Sequence, residues 1–207
     1  GPAMATGYPD DNAEAQSSFW LELDGKLLSF SKGEFLFAQG ADVENMYFLQ
    51  SGGIRLLRHT PEGDKVILHT ASAGELIAEA SLFSDHYHCS AITDYPSRVY
   101  SLPRRQLLHT LSTRAKLSLQ VLKTLSQQIR DLRGLLEIRN IRSAEQRILA
   151  YLRSRADPGG RVALTLSLRD TAYKLGLAHE TLYRALRKLE NHGLIERPQA
   201  RTVILKQ

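Results

Sequence analysis

The chain has 207 residues, of which 43% are hydrophobic and 24% charged, a composition typical of folded globular proteins and a length sufficient for two small domains. Its single cysteine, Cys89, excludes an intrachain disulfide framework, a zinc site built from several thiolates and a four-cysteine iron–sulfur cluster within one chain. No apolar run approaches the ~20 residues of a membrane span. We therefore expect a cytoplasmic protein with no membrane partner.

The net charge of +5 is distributed unevenly along the chain. Residues 1–138 contain 13 Lys and Arg against 16 Asp and Glu, whereas residues 139–207 contain 14 against 6. The last third therefore carries a net charge of +8. This asymmetry favours a nucleic-acid-binding module at the C-terminal end, and a solvated basic surface is the alternative.

The first residues of the chain are polar, and we expect residues 1–16 to be disordered. The start, Gly1-Pro2-Ala3 before Met4, is typical of the remnant of an expression tag. Further along, apolar residues at helical spacing predict a short amphipathic helix over residues 17–28, through Phe19, Trp20, Leu23 and Leu27.

Between residues 30 and 105, short apolar segments separated by glycines predict β-strands. Pro61-Glu62-Gly63-Asp64 is typical of a hairpin turn between two of them. Many short strands at intervals of roughly 8–12 residues indicate a sandwich or a jelly-roll barrel. The predicted strands contain Phe35–Phe37, Met46–Leu49, Ile54–Leu57, Val66–Leu68 and Arg98–Tyr100.

From about residue 104 the apolar period becomes helical. One stripe has alternating spacings of three and four residues, which is the seam of a coiled coil. A second stripe contains Leu117, Leu119, Val121 and Leu135. A long helix with two apolar faces favours a homodimer, and a single wide face buried within one chain is the alternative. The seam consists of Ala115, Ser118, Leu122, Leu125, Ile129, Leu132 and Leu136, of which the last five are the predicted dimer contacts.

A break follows at residues 140–143, which we interpret as a hinge. Ser143 with Gln146 matches a capping box, so a new helix is predicted to start there and to run to about Arg155. The Asp157-Pro158-Gly159-Gly160 segment then ends it.

Residues 167–205 have the pattern of a winged helix-turn-helix. Ser167 with Asp170 matches a second capping box, and Gly176 stands where the tight turn requires a left-handed or closely packed residue. The second helix, about 179–190, buries three leucines and exposes a basic face. Two short strands joined at residues 198–201 form the wing. A generic helical hairpin is the alternative, but the basic face and the wing argue against it.

Together these segments resemble the CRP/FNR family of bacterial transcription regulators. The resemblance covers about residues 19–205. It depends on KGEFLFAQGADVENMYFLQSGGIRLL and GELIAEASLF in the first half and on HETLYRALRKLENHGLIE in the second. It implies an α+β fold with an N-terminal double-stranded β-roll (jelly roll), a long central dimerisation helix and a C-terminal winged helix-turn-helix. The implied boundaries are 17–106, 107–139 and 140–207.

The resemblance also implies how DNA would be read. The family's motif places a glutamate and, four residues later, an arginine at the base edges, and here these are Glu180 and Arg184. Thr181 is expected to contact a phosphate. His179 and Tyr183 differ from the residues that other members carry, so we expect an altered half-site that retains a TGA-like core. Two half-sites about one helical turn apart form a palindromic operator on double-stranded DNA.

Other basic residues of this part are expected to contact phosphates rather than bases. They set affinity and its salt dependence. These residues are Arg169, Lys174, Arg187, Lys188, Arg197 and Arg201.

In the cyclic-nucleotide binders of the family, a Gly-Glu pair opens a phosphate-binding cassette and an Arg-Ser pair closes it. Here Gly74-Glu75-Leu76 matches the opening, but alignment on Ser90 places Cys89, or else His88, where the arginine should stand. A nucleotide phosphate would lose a charge-assisted partner worth about 1.5–3 kcal/mol. We therefore expect an effector other than cyclic AMP at Glu75, Leu76, His88, Cys89 and Ser90.

The same segment leaves three alternatives open. His86, His88 and Cys89 lie within four residues and offer ligands for a metal or a haem iron. Cys89 could instead be a redox-sensing thiol, or it could pack as a small apolar residue beside two surface histidines. The cofactor is therefore unknown at this point.

The leading interpretation is a dimeric, sequence-specific DNA-binding transcription regulator. If the protein is an activator, RNA polymerase is a further expected partner. A cyclic-nucleotide-binding signalling module without a DNA role is the alternative. No nucleophile–base spacing, P-loop or HExxH motif is present, so we do not expect an enzyme.

Overall fold

The structure is a computed structural model that describes residues 23–206. The predicted disordered segment, residues 1–16, lies outside this range. The described residues form two compact units, 23–122 and 123–206, and the boundary falls inside one long helix. Over the described range, no helix is both long and apolar enough to cross a membrane.

The first unit is built from two four-stranded antiparallel sheets. One sheet has the strand order β1-β8-β3-β6 and the other β2-β7-β4-β5, and a 3-10 turn at Glu79–Ser81 follows β6. This is the predicted β-roll. Its strands are β1 (Lys26–Phe30), β2 (Phe35–Phe37), β3 (Asn45–Ser51), β4 (Gly53–His59), β5 (Lys65–Ser72), β6 (Leu76–Ile77), β7 (Ser90–Thr93) and β8 (Ser97–Pro103).

The core of the roll is centred on β3. This strand lies between β8 and β6 in its sheet, and its run Met46–Leu49 is buried continuously rather than at alternate positions. A strand covered on both faces is expected to show such an uninterrupted apolar run. The neighbouring strand β8 contributes Val99 and Leu102, which are fully buried.

The predicted hairpin turn joins β4 to β5. The Thr60 amide donates to the Asp64 carbonyl at 2.9 Å, and Gly63 adopts a left-handed φ of 86°. A residue other than glycine would be strained there. The turn prediction is confirmed.

The predicted helix over residues 17–28 is wrong in its described part. Residues 17–22 lie outside the described range, but Lys26–Phe30 form strand β1, with Leu27 opposite Tyr100 of β8. The local helical spacing is overridden because β8 offers a complete ladder of backbone partners to this segment.

The predicted helix over residues 107–139 is two helices, α1 (Arg104–Thr113) and α2 (Ala115–Arg139). Arg114 between them is extended, with φ −122° and ψ 93°. The hydroxyls of Ser112 and Thr113 both donate to the His109 carbonyl, at 2.6 and 3.2 Å. Such bonds compete with continuation of the helix, which explains the break.

Helix α2 has two apolar faces. Leu117 and Val121 pack on the core of the first unit, whereas Leu135 and Ile138 pack on that of the second. The other face is exposed. Leu119, which the sequence analysis placed in the second stripe with Leu117 and Val121, is 65% exposed and therefore belongs to the exposed face, called here the outer stripe. The outer stripe also contains Leu122, Ile129, Leu132 and Leu136, which are 49 to 62% exposed.

The second unit is the predicted winged helix-turn-helix. Its three-stranded sheet has the order β10-β11-β9. Ser143 and Ser167 cap their helices by accepting from the amides of Gln146 and Asp170, at 3.3 and 3.1 Å, as predicted. The elements are α3 (Ala144–Arg155), β9 (Arg161–Ala163), α4 (Leu168–Lys174), α5 (His179–Asn191), β10 (Ile195–Gln199) and β11 (Thr202–Leu205). The α+β architecture expected from the sequence is confirmed.

Candidate DNA-reading helix and effector cassette

The turn between α4 and α5 is a Schellman motif centred on Gly176. The Leu177 amide donates to the Ala172 carbonyl at 2.9 Å, and the Gly176 amide donates to the Tyr173 carbonyl at 3.0 Å. Gly176 has a φ of 67°, the left-handed conformation that this motif requires. The predicted role of Gly176 is confirmed.

Helix α5 has one apolar and one polar face. Leu182, Ala185, Leu186 and Leu189 are buried against the core, so the opposite side is presented to solvent. Of the residues predicted to bind DNA, Thr181 is half-buried. The exposed ones on this helix are His179, Glu180, Tyr183, Arg184, Arg187 and Lys188.

The N-terminal turn of α5 brings the predicted base readers together. Glu180 and Arg184 are four residues apart on the exposed side, and the His179 and Tyr183 rings meet edge to face with centroids 4.5 Å apart. An arginine there can donate two hydrogen bonds to guanine, and a glutamate can accept one from cytosine. The helix is preceded by Ala178, which has no capping side chain, so its first amides can donate to a phosphate.

The basic residues around α5 are not equivalent. Arg169 on α4 and Arg187 on α5 are exposed, whereas Lys188 Nζ lies 3.7 Å from Glu145 Oε1 on α3. A hydrogen bond from its own backbone amide, together with Ser143 and Lys188, lowers the pKa of Glu145. Lys188 therefore has an intramolecular ion-pair partner, Glu145.

The cassette, defined here as residues 74–91, lies in the roll. Its glutamate, Glu75, is already engaged by the protein: Oε1 lies 2.8 Å from His69 Nε2, and Oε2 accepts the Ser72 amide. An effector hydroxyl would have to compete with both partners for this carboxylate.

The closing segment of the cassette has its own internal bonds. His88 Nδ1 and Ser81 Oγ are 3.1 Å apart, and Ser90 Oγ accepts the Gln39 amide at 2.8 Å. Cys89 between them is only 3% exposed. The expected effector residues thus lie in one segment, but Ser90 is already engaged by the Gln39 backbone amide and Cys89 is packed in the core.

The predicted metal set is not assembled in the described residues. His86 is exposed and pairs with Asp42 at 3.1 Å, His88 faces Ser81, and Cys89 is buried. Across residues 23–206 no group of three or more His, Cys, Asp and Glu side chains is arranged to hold a metal ion. The cause is local: His86 forms an isolated β-bridge with Asp42, whereas His88 and Cys89 lie in a bend that precedes β7 and directs Cys89 into the core.

The sequence analysis missed two titratable residues at the cassette, a histidine and a second glutamate. His69 reaches it from β5, and Glu79 lies in the 3-10 turn after Ala78, which has a left-handed φ of 71°. Burial, and to a lesser extent the nearby charge of Glu75, raises the pKa of the Glu79 carboxyl. A strained alanine of this kind is a signal for a functional segment, but it is visible only in the structure.

The environment of Cys89 disfavours a reactive thiol. Burial and then the carboxylate of Glu79 raise the pKa of the Cys89 thiol, and Arg58 acts in the opposite direction. The thiolate is the form that binds metals and reacts with oxidants. The structure therefore favours the packed-residue alternative over the redox-sensing one.

We predict that Cys89 is inert in the folded protein. Iodoacetamide at pH 7.5 should label it at least about a hundredfold more slowly in the native than in the urea-unfolded chain, because local opening must precede reaction. Cys89→Ser should lower the free energy of unfolding by about 1–3 kcal/mol, since it buries a hydroxyl. Rapid native labelling, followed by mass spectrometry, would reverse the assignment.

Each of the two units matches a known protein family. The cyclic nucleotide-binding domain family matches residues 27–114, and the Crp-like helix-turn-helix domain family matches residues 146–207. The transcriptional activator protein Anr of Pseudomonas aeruginosa is 26% identical over 171 residues, 79% of this chain and 70% of Anr. FixK2 from Bradyrhizobium japonicum has the same fold, with a TM-score of 0.70 at 21% identity over 88% of this chain and 93% of FixK2. The structure of CprK complexed with OCPA gives a TM-score of 0.74 at 19% identity over 94% of this chain and 92% of CprK.

A nucleotide-type roll, a long helix and a winged helix-turn-helix with a basic reading helix define a DNA-binding transcription regulator controlled through its roll. This is the class of protein that the fold and the site specify. The chain belongs to the CRP/FNR family of bacterial transcription regulators.

Proposed function

We propose that this protein is a homodimer that binds a two-fold-symmetric operator on double-stranded DNA through α5. The single observation that carries the proposal is the exposed face of α5, which presents Glu180 and Arg184 one turn apart near the start of the helix. Dimerisation is supported by the outer stripe of α2, whose five large apolar side chains are exposed in one chain. A second copy of the same helix is the occupant that we assign to this stripe, because its heptad spacing is self-complementary.

Within this proposal the chain divides as the sequence predicts, into a sensor roll over 17–106, a dimerisation helix over 107–139 and a DNA-binding part over 140–207. The two family matches, 27–114 and 146–207, support the outer parts of this division. If the protein activates transcription as Anr is named to do, RNA polymerase is its further partner.

We further propose that the effector is not a cyclic nucleotide. The cassette has the buried Cys89 where a guanidinium would hold the phosphate, and two carboxylates, Glu75 and Glu79, lie nearby. Phosphate placed beside carboxylates is repelled, and it also lacks a charge-assisted partner worth about 1.5–3 kcal/mol. An effector that offers hydrogen-bond donors or positive charge suits this lining better.

The test begins with selection of an operator from random double-stranded DNA by the purified full chain. We expect a symmetric sequence with half-sites about one helical turn apart. Cyclic AMP or cyclic GMP at about 1 mM should change the operator Kd by less than about twofold, because a ligand that does not bind the roll cannot shift its equilibrium.

Two outcomes would contradict this function. Failure to select any sequence would remove the DNA-reading role assigned to α5. Micromolar binding of either nucleotide by calorimetry would overturn the effector assignment while leaving the DNA-binding role intact.

A further inference from the structure

Arg147, on α3, joins two chain segments through one guanidinium group. Its Nε donates to the Ile141 carbonyl at 2.9 Å, and its Nη1 donates to the Leu175 carbonyl at 3.0 Å. Arg147 is half-buried. It lies on neither the exposed face of α5 nor the wing, so the DNA-binding role assigned above does not use it.

Both acceptors lie just beyond the carboxyl ends of helices. Ile141 follows α2, which ends at Arg139, and Leu175 is the C-terminal cap of α4. A carbonyl close to a helix C-terminus lies at the negative end of the helix dipole, so a cation stabilises it. A guanidinium has donors in a rigid fork and can therefore hold the two carbonyls at a set separation, which an ammonium cannot do.

A second arginine contacts the same turn. A Cβ atom at Gly176 would lie 2.8 Å from Nη2 of Arg139, the last residue of α2. The guanidinium of Arg139 therefore lies directly against the backbone of the turn. The turn that sets the angle between α4 and α5 is thus contacted by Arg147 from α3 and by Arg139 from the end of α2.

We propose that Arg147 is a positioning residue for DNA binding. Its two hydrogen bonds hold the turn between α4 and α5 against the segment that follows α2, so that the orientation of α5 is set by the end of α2. The proposal rests on the DNA-reading role of α5 argued above. Arg147 itself contacts no DNA, so it sets the orientation of Glu180 and Arg184 without contributing to base preference.

The experiment compares operator binding by the wild-type chain, Arg147→Lys and Arg147→Ala. Arg153→Ala is the matched control, since Arg153 is an exposed arginine on the same helix. Ile148→Val or Ile148→Ala, whichever melts nearest to Arg147→Ala, controls for stability, since Ile148 is a fully buried neighbour. Binding is measured well below every melting temperature.

We expect Arg147→Ala to weaken operator binding by about tenfold or more, from the loss of two charge-assisted hydrogen bonds. The operator affinity of Arg147→Lys should lie between that of Arg147→Ala and that of the wild type. The ranking of base-pair substitutions in the operator and the salt slope should not change. Amide exchange at Gly176 and Leu177 should accelerate, while exchange in β10 and β11 should not. Arg153→Ala should match the wild type, and the Ile148 variant should lose stability but not operator affinity.

Several results would overturn the proposal. Equal operator affinity for Arg147→Ala and the wild type would do so, as would an equal loss in the stability-matched Ile148 variant. A changed base preference would mean that Arg147 reads DNA directly. If Arg147→Ala does not fold, the Arg147→Lys variant provides the test. The proposal is then refuted if Arg147→Lys binds the operator with wild-type affinity and its amides at Gly176 and Leu177 exchange at the wild-type rate. Failure of the wild-type chain to bind any operator would instead count against the proposed function.

Discussion

Replacing Leu122 and Ile129 together with Asp is expected to convert the protein into monomers. Both side chains are exposed in the outer stripe of α2, at 59% and 49%. Each such side chain buried in a dimer contributes about 1.5–3 kcal/mol. An aspartate removes this contribution from both copies and places unpaired charges at the seam, which adds a desolvation cost.

The monomer should bind the operator about 10²–10⁴-fold more weakly, because each half-site must then be bound independently. Light scattering at micromolar concentration measures the oligomeric state, and a gel shift measures the affinity for the operator. Gln120→Asp with Gln127→Asp is the matched control, since it adds the same two negative charges at exposed positions of α2 outside the seam. A wild-type chain that scatters as a monomer, or an aspartate variant that remains dimeric, would refute the α2 interface.

Arg184→Ala is expected to weaken binding to the selected operator by about 1–3 kcal/mol, which is roughly 5–150-fold. The loss should be confined to one G·C pair. When that pair is exchanged in the operator, wild type and variant should bind almost equally, because the arginine no longer has its guanine partner. Competition gel shifts with single base-pair substitutions provide the measurement.

Arg187→Ala is the matched control on the same helix. It lies about one turn further from the N-terminus of α5 and is exposed. We expect a uniform loss across all base-pair substitutions and a decrease of about one in the slope of log K against log salt. If both variants lost affinity uniformly, the assignment of Arg184 as a base reader would be wrong.

If the roll senses a signal, α2 is the segment that connects it along the chain to α5. The cassette lies within residues 23–122, α5 lies within residues 123–206, and α2 is the element common to both units. Only a small bias is needed, since a differential affinity of about 1.4 kcal/mol shifts a two-state equilibrium tenfold. The Arg147 contact is placed where such a bias would pass from the end of α2 to the turn before α5.

The sequence by itself determined those features that depend on local chemistry. The β4–β5 turn follows from its Pro61–Asp64 composition, and the starts of α3 and α4 follow from Ser143 and Ser167. Gly176 was predictable because few other residues tolerate its φ of 67°. The exposed face of α5 was likewise predictable, since the spacing of its buried leucines determines which residues remain exposed.

Only the tertiary structure decided the features that depend on partners distant in the chain. Lys26–Phe30 forms a strand because β8 pairs with it, against its helical spacing. The Glu75 carboxylate already has a hydrogen-bond partner because β5 positions His69 beside it. The predicted metal ligands separate because Cys89, in the bend before β7, is buried in the core, while His86 pairs with Asp42 at the surface. The Arg147 contact joins carbonyls at residues 141 and 175, and no local pattern reports a hydrogen bond whose acceptor lies 28 residues away.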